Sequence, residues 1–395
     1  MKDVRTINQL EVSGKRVLVR VDFNVTLQKN EVSDDTRIRH GLSTIQRLLS
    51  RGASLILVTH LGRPNGRRVK KYSVRPVARR LEDLLNKPIK VVDDFTQKSS
   101  ARMIRSLTPG DIVLLENIRF YQGEEQNNPD FSKQLASLAQ AFVFDAFGTA
   151  HRVHASTVGV SKYLPRSAGL LMEKEIKMIQ RLTDHPKRPF VAIIGGAKAE
   201  TKIRLIDRLL EMTDQLLIGG GIANTFFKAW GFPIGRSYAN HEVIELARTI
   251  IWKASQSKTA LTLPKDVVIG SIRKNAVYKV VPANRIPSSG VALDIGPQTQ
   301  ALFASSIADA KTIVWNGPMG VYEQSKFRIG TDFIFHAIAA NRKAFSLVGG
   351  GDTLASMSHK HLVSEIDHLS TGGGSLLEFI EKGTLPAIEA LKNNS

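Results

Sequence analysis

Gly195-Gly196-Ala197-Lys198 directly follows the apolar run Val191-Ala192-Ile193-Ile194, and eight other apolar runs along the chain end in a similarly abrupt way. Short, nearly continuous apolar runs are typical of strands that are covered on both faces, as in parallel α/β sheets. Amphipathic helical patterns separate the runs, which is the arrangement of β–α–β units. The sequence therefore predicts an α/β fold with parallel sheets. The other runs are 17–21, 55–58, 112–115, 142–144, 216–218, 313–315, 346–348 and 368–370.

The chain has 395 residues, more than a single hydrophobic core usually holds, so we expect two domains. A helical pattern at 172–182 ends before His185-Pro186-Lys187-Arg188-Pro189, where two prolines cannot continue a helix. We therefore place an interdomain helix and linker at 171–189, between an N-terminal domain (1–170) and a C-terminal domain (190–381). Further helices are predicted at 36–49, 73–85 (with Ser73 as cap), 131–140, 202–212, 241–254, 298–308 and 327–341.

The composition excludes several classes of protein. The absence of cysteine excludes a disulfide framework, a thiolate metal site and a cysteine nucleophile. No apolar stretch approaches the roughly 20 residues of a membrane span, and the N-terminus lacks the apolar core of a signal peptide, so we expect a cytoplasmic protein. The net charge of +19 would suit a nucleic-acid binder, but the basic residues are scattered and only 67–71 forms a dense run. We expect anionic small molecules rather than nucleic acid as the main partners.

Four arginines in the first half lie at or just beyond different strand ends, where parallel sheets bind their ligands. Each guanidinium can pair with a carboxylate or phosphate through two hydrogen bonds. A lone surface arginine is usually solvated, but four at four strand ends indicate a site for a small, multiply charged anion. Asp22 and Asn24 alternate along one strand end and could bind a hydroxyl, while His60 could donate to an oxyanion. The four arginines are Arg37, Arg63, Arg119 and Arg152.

Glycine dominates the strand ends of the second half, in the triplets 219–221, 349–351 and 372–374. Such loops let a backbone approach a ligand closely, and a following helix offers its N-terminus to phosphate. Lys198 and Lys202, four residues apart, are predicted to share a helix face, which favours an anion between them. Asp352 could cap a helix or supply a carboxylate to Mg²⁺. The chain lacks a Walker A motif and a complete dinucleotide fingerprint. A small-anion site and a nucleotide site on separate domains suggest phosphoryl transfer with domain closure.

Eight motifs, in order and nearly end to end, resemble those of phosphoglycerate kinase. They are Arg20-Val21-Asp22-Phe23-Asn24-Val25, His60-Leu61-Gly62-Arg63-Pro64, Glu116-Asn117-Ile118-Arg119-Phe120, Asp145-Ala146-Phe147-Gly148-Thr149-Ala150-His151-Arg152, Gly195-Gly196-Ala197-Lys198, Trp315-Asn316-Gly317-Pro318, Gly349-Gly350-Gly351-Asp352-Thr353 and Ser370-Thr371-Gly372-Gly373-Gly374.

The resemblance implies reversible, glycolytic transfer from 1,3-bisphosphoglycerate to ADP, giving 3-phosphoglycerate and ATP, with Mg²⁺ on the nucleotide. It implies two Rossmann-like domains, with 382–395 packing back on the first, and a monomer. The implied 3-phosphoglycerate-binding residues are Asp22, Phe23, Asn24, Arg37, His60, Leu61, Gly62, Arg63, Arg119 and Arg152. The implied nucleotide-binding residues are Gly196, Lys198, Lys202, Gly220, Asn316, Glu323, Gly350, Gly351, Asp352 and Thr353. The implied catalytic residues are Arg37, Lys198, Lys202 and Gly373, and Asp352 is the implied metal ligand.

The chemistry of the attacking group also bears on the mechanism. In the ATP-consuming direction the nucleophile is a carboxylate, with a reference pKa near about 4, so it is ionised at neutral pH. We therefore expect no general base, although Asp22 is the alternative to consider. Three departures from the family pattern, Glu200, Met319 and Tyr322, fall in the nucleotide half and bear on nucleotide affinity. Two other interpretations stay open, a nucleic-acid-binding role for the positive charge and a catalytically inactive relative.

Overall fold

The computed structural model describes residues 4–271 and 277–392. Within this part, the chain forms two compact units. Unit 1 comprises residues 4–177 and 384–392, and unit 2 comprises residues 178–271 and 277–383. The strands are β1 Arg16–Val21, β2 Leu27–Gln28, β3 Glu31–Val32, β4 Ser54–Val58, β5 Lys90–Val92, β6 Ile112–Leu115, β7 Ala141–Asp145, β8 Arg166–Ala168, β9 Phe190–Ile194, β10 Gln215–Ile218, β11 Ala260–Thr262, β12 Asp266–Ile269, β13 Lys279–Pro282, β14 Ala292–Ile295, β15 Thr312–Asn316, β16 Phe345–Gly349 and β17 His368–Ser370. The α-helices are α1 Thr36–Ser50, α2 Arg75–Leu85, α3 Lys98–Arg105, α4 Gln122–Glu125, α5 Pro129–Ala136, α6 Leu170–Thr183, α7 Ile203–Met212, α8 Gly220–Ala229, α9 Ile244–Gln256, α10 Pro297–Asp309, α11 Ile329–Ala340, α12 Gly351–Ser356, α13 Gly374–Lys382 and α14 Pro386–Leu391.

Unit 1 is built on a parallel sheet in the order β5-β6-β4-β1-β7-β8. Strands β4 and β7 are fully buried, as is β1 except for Arg16, and Val19 of β1 lies in register with Leu57 of β4 and Val143 of β7. The apolar stripes of α1 and α2 pack on this sheet through residues such as Ile45 and Leu81. Because the strands are parallel, their carboxyl ends meet along one edge, where the motifs of the first half lie.

Unit 2 contains a second parallel sheet, in the order β11-β10-β9-β15-β16-β17. Numbered along the chain within this sheet, the order is 3-2-1-4-5-6, that of the Rossmann fold. The order reverses between β9 and β15, which lie side by side with Ile194 in register with Asn316. Open α/β sheets bind their ligands at such a reversal, and Gly195 and Asn316 lie at this position in unit 2.

All nine predicted apolar runs form strands of these two parallel sheets, and the predicted fold class is confirmed. The sequence missed the antiparallel sheet β13-β12-β14, because β13 is largely exposed and lacks a continuous apolar run. Helix α5 ends at Ala136, four residues before the predicted end. Helix α2 begins at Arg75, and Ser73 accepts a hydrogen bond from the Arg75 amide at 3.3 Å without being the capping residue.

Residues 384–392 return to unit 1, where the Ala387 amide donates to the Ala150 carbonyl at 3.0 Å. Arg166 Nη2 donates to the Lys392 carbonyl at 2.6 Å, which anchors the end of this segment. Residues 393–395 of the predicted segment 382–395 lie outside the described residues. Helix α6 carries the chain across the boundary from unit 1 to unit 2. Among the described helices, none combines the length and apolar character that a membrane span requires.

Candidate active site

In unit 1, the first turn of α1 presents Arg37 to Asp22, which directly follows β1. Arg37 Nη1 lies 2.5 Å from Asp22 Oδ2, and the Asp22 side chain is 8% exposed against 42% for Arg37. The second carboxylate oxygen, Oδ1, is buried and has no hydrogen-bond partner. A buried, unpartnered acceptor is costly unless a ligand satisfies it. This pair can therefore offer a ligand both a cation and an acceptor.

Backbone atoms of the loop after β4 are fixed by three side chains from two other segments, the loops after β1 and β6. Asn24 Oδ1 accepts from the Gly62 amide at 2.9 Å, and Arg119 Nη1 donates to the Gly62 carbonyl at 2.9 Å. Asn117 Nδ2 donates to the Leu61 carbonyl at 2.7 Å. Asn24, Gly62 and Arg119, predicted from separate motifs, are thus in direct contact. The side chains of Leu61 and Phe23 are buried in the core, so only their backbone atoms could meet a ligand.

The predicted cations of unit 1 lie close enough to perturb one another. Burial lowers the pKa of Arg119; Glu125 and Glu124 oppose this, while Arg152 and Arg63 lower it further. Burial also holds the pKa of His60 well below its usual value, with contributions from nearby arginines that include Arg119 and Arg37. Arg63 and Arg152 are exposed, so their guanidinium groups are free to reach a ligand. Like charges gathered in this way favour a multiply charged anion.

In unit 2, the side chain of Lys202 turns back to the ends of β9 and β15. Its Nζ lies 2.8 Å from the Gly195 carbonyl oxygen and 3.4 Å from that of Asn316. Burial lowers the pKa of this ammonium group to about 8, and the carboxylate of Asp352 opposes the shift. A positive charge is therefore held at the strand reversal of the sheet.

The predicted helix face shared by Lys198 and Lys202 is wrong. Residues Ala199–Thr201 form a 3-10 turn, Lys198 precedes it in extended conformation, and α7 begins only after Lys202. Lys202 directs its ammonium group to the two carbonyl oxygens at the strand ends instead. Lys198 and Glu200 are both exposed, whereas Lys202 is half-buried, so the two lysines differ in environment.

Glycine and small polar residues hold the loops around Lys202 in close contact. Thr353 Oγ1 accepts from the Gly317 amide at 2.7 Å and donates to the Gly349 carbonyl at 2.8 Å. Asn316 Nδ2 donates to the same carbonyl at 2.6 Å. Gly220 has a φ of +61°, and a Cβ there would lie 2.7 Å from the Gly196 nitrogen. The loops after β9, β10, β15 and β16 thus form one framework, which only glycine permits at position 220.

A cavity of about 400 Å³ lies beside this framework, within unit 2. Of the predicted nucleotide-binding residues, Gly196, Gly220, Glu323 and Asp352 line it. Seven predicted residues of this half do not line it, namely Lys198, Lys202, Asn316, Gly350, Gly351, Thr353 and Gly373. Lys202, Asn316 and Thr353 instead support the adjoining loops, and Gly373 precedes α13. The cavity wall thus contains only some of the residues that the motifs predict for the nucleotide site.

Sequence reasoning missed the apolar wall and one acidic residue of this cavity. Phe227, Tyr238 and Val267 line it, and Tyr238 is 61% exposed. Asp294, at the end of β14, also lines it and accepts from the amides of Ile295 and Gly330 at 2.9 and 2.8 Å. The signal for Asp294 was present, because Val291-Ala292-Leu293 is another short apolar run and it ends at Asp294. Met319 and Tyr322, which depart from the family pattern, are cavity residues too.

The chain is similar to known proteins over nearly its whole length. The family model described as phosphoglycerate kinase matches residues 7–383. Curated phosphoglycerate kinases from Moorella thermoacetica and Dictyoglomus turgidum are 47% and 46% identical, over 98% and 99% of both chains. Solved phosphoglycerate kinase structures from Coxiella burnetii and Pyrococcus horikoshii match with TM-scores of 0.89 and 0.85 at 40% and 31% identity, each covering 98% of both chains. Similarity of this extent, together with the Rossmann strand order of unit 2, shows that the chain belongs to the phosphoglycerate kinase family of glycolytic kinases.

Proposed function

We propose that this protein catalyses reversible transfer of a phosphoryl group from 1,3-bisphosphoglycerate to ADP, yielding 3-phosphoglycerate and ATP. The observation that carries the proposal is the cation cluster of unit 1, in which burial lowers the pKa of Arg119 and the nearby Arg152 and Arg63 lower it further. A three-carbon ligand with a phosphate and a carboxylate supplies the negative charge that such a cluster needs. The unpartnered Oδ1 of Asp22 suits the hydroxyl of the same ligand.

The proposed roles in unit 1 follow from these contacts. Arg119, Arg63 and Arg152 bind the phosphate of 3-phosphoglycerate, and Asn24 and Gly62 shape the loop beneath it. Arg37, positioned by Asp22, faces the carboxyl end and stabilises charge on the phosphoryl group in transfer. His60 donates a hydrogen bond to an oxygen of the ligand. The carboxylate nucleophile is already ionised, so no residue needs to act as a general base.

In unit 2, the proposed site for ATP or ADP combines the cavity with the loops around Lys202. The apolar wall with Tyr238 suits the base, Glu323 the ribose hydroxyls and the glycine loops the phosphates. Lys202 and Lys198 neutralise the transferring phosphoryl group, and Gly373 offers the N-terminus of α13. Catalysis on this proposal is electrostatic, as phosphoryl transfer generally requires.

The residues present fit a magnesium ion that arrives with the nucleotide. Asp352 lies in the first turn of α12, is exposed and lines the cavity. Within residues 4–271 and 277–392, no three or more acidic or histidine side chains gather into a metal site. Mg²⁺ is commonly held by one or two carboxylates together with phosphate oxygens, an arrangement that Asp352 could complete. When bound, it would neutralise charge on the phosphates.

An assay that supplies 3-phosphoglycerate and MgATP and detects the acyl phosphate product through a coupled acyl-phosphate reductase would test the proposal. Arg37→Ala and Lys202→Ala each remove a charge-stabilising donor, and we expect kcat to fall about 10²–10³-fold. Arg39→Ala is the matched control for Arg37, because Arg39 lies on the same helix but pairs with Asp35 at 2.9 Å. Lys228→Ala, on the exposed end of α8, is the control for Lys202. Absence of turnover in the wild type would refute the proposal.

A monomeric state, a cytoplasmic location and hinge-bending during turnover are also part of the proposal. Transfer requires the two substrates to meet with water excluded, which is commonly achieved by domain closure. Solution scattering should therefore show a smaller radius of gyration with both substrates present than with either alone. Light scattering should give a single mass equal to that of one chain. A mass of two chains would contradict the monomer.

A further inference from the structure

Arg20, the penultimate residue of β1, directs its side chain to the ring of His60. Arg20 is 1% exposed, and its Nη2 lies 3.2 Å from His60 Nδ1. Its Nε donates to Ser156 Oγ at 2.9 Å, and its Nη1 donates to the Val21 carbonyl. The His60 side chain is 4% exposed. A buried arginine therefore contacts the imidazole on the Nδ1 side.

The chemistry of arginine decides which imidazole nitrogen carries the proton. A guanidinium has only donors and remains protonated in proteins. The hydrogen bond from Arg20 to His60 consequently requires a lone pair on Nδ1, and the single ring proton must be on Nε2. The pKa of His60 is lowered mainly by burial and next by Arg20, which keeps the ring neutral at neutral pH.

A buried carboxylate holds the guanidinium in this orientation. Glu124 has no exposed surface and accepts from Ser156 Oγ at 2.6 Å and from the Ser156 amide at 2.8 Å. Because the Ser156 hydroxyl donates to Glu124, its oxygen is available to accept from Arg20 Nε. Hydrogen bonds thus run in one direction, from Arg20 through Ser156 to Glu124, and Glu124 supplies a buried counter-charge.

We propose that Arg20 is a positioning residue that locks His60 in the Nε2–H tautomer, so that His60 presents a neutral N–H donor to an oxygen of the three-carbon substrate. The last part rests on the proposed function. In this state Nδ1 is occupied by Arg20 and Nε2 already carries a proton, so His60 donates a hydrogen bond and does not take up a proton. A histidine that accepted from its ligand through Nε2 would require the other tautomer, which Arg20 excludes.

The tautomer can be measured directly in the free, full-length enzyme by ¹⁵N NMR of the imidazole nitrogens at neutral pH. We expect Nε2 to appear as the protonated nitrogen and Nδ1 as the unprotonated one. In Arg20→Met/Glu124→Gln, which removes both buried charges together, we expect a mixture of tautomers. The control is Arg51→Met, because Arg51 also donates to two carbonyls of unit 1 but at the far end of α1. A wild-type ring protonated on Nδ1, or a double variant with an unchanged pattern, would overturn the proposal.

Kinetics separate positioning of His60 from a general structural effect. Loss of one hydrogen bond to a charged ligand should raise the KM for 3-phosphoglycerate about tenfold in the double variant, while the KM for ATP stays constant. His60→Gln, whose amide nitrogen falls near the Nε2 position, should retain more affinity than His60→Asn. Equal losses of affinity for both substrates would contradict positioning. An inactive wild type with the expected tautomer would refute the proposed function, and not the role of Arg20 in setting the tautomer.

Discussion

The ammonium group of Lys202 lies 2.8 Å from the carbonyl oxygen of Gly195, at the point where the strand order of unit 2 reverses. Two carbonyl oxygens and the nearby Asp352 orient the charge, while burial lowers its pKa to about 8. Ligands of such sheets bind where the strand order reverses, so we expect nucleotide affinity to change when this partly desolvated ammonium group loses its proton.

Lys202 should therefore make nucleotide binding depend on pH. The ammonium form predominates below a pKa of about 8, so the KM for ATP should rise as pH passes through that value. Bound phosphates favour the charged form and should move the transition upward in the complex. Lys202→Arg stays charged throughout and should lose this dependence, whatever its absolute rate. A profile of kcat/KM for ATP that is the same in both proteins would exclude Lys202 as the titrating group.

Asp22→Asn should weaken binding of 3-phosphoglycerate rather than of ATP. The substitution removes the ionic partner that holds Arg37 at 2.5 Å, while the amide oxygen can still accept one hydrogen bond. Loss of a charge-assisted hydrogen bond predicts a rise of about tenfold in the KM for 3-phosphoglycerate. Asp34→Asn, at an exposed position before the same helix, is the control. Loss of affinity for both substrates would point instead to a disturbed fold.

Asp294 should make stability fall as pH rises from its ordinary pKa of 3.8 to its raised pKa of about 7. Burial raises its pKa from 3.8 to about 7, so between these values the native state binds a proton that the unfolded state has released. Stability is then greatest at the acid end of that window and decreases toward the alkaline end. The shift corresponds to an effect on the order of 4 kcal/mol. Asp294→Asn should remove most of this slope in urea unfolding, whereas Asp309→Asn, exposed on α10, should not.

Gly220→Ala should lower both stability and nucleotide affinity. The residue has a φ of +61°, and a Cβ would lie 2.7 Å from the Gly196 nitrogen, so strain and a backbone clash combine. We expect a loss of about 1–3 kcal/mol in the free energy of unfolding, with a higher KM for ATP. Gly231→Ala, at φ +85° with nothing within 4 Å of its Cβ, measures backbone strain alone. Equal losses in the two variants would show that the contact with Gly196 is unimportant.

The apolar runs predicted the two parallel sheets because nearly all of the central strand residues are buried on both faces. The same reasoning could not find β13, whose residues are largely exposed. It could have found Asp294, which follows an apolar run, but that run was not among the nine considered. The spacing of Lys198 and Lys202 predicted a shared helix face, but the side chain of Lys202 contacts carbonyl oxygens 7 and 114 residues away. Arg20 stood in a quoted motif without a role, because its partner His60 lies 40 residues further along the chain. Pairwise contacts of this kind leave no periodic signal in a sequence.

The return of residues 384–392 to unit 1 has a consequence for synthesis on the ribosome. Unit 2 is one uninterrupted stretch of chain, so it can acquire all of its contacts as soon as residue 383 has emerged. Unit 1 is made first but lacks helix α14 until residues 386–391 have followed unit 2. Nascent chains stalled with residue 383 just outside the ribosome should therefore carry a complete unit 2 and an incomplete unit 1, and pulse proteolysis should cut unit 1 first.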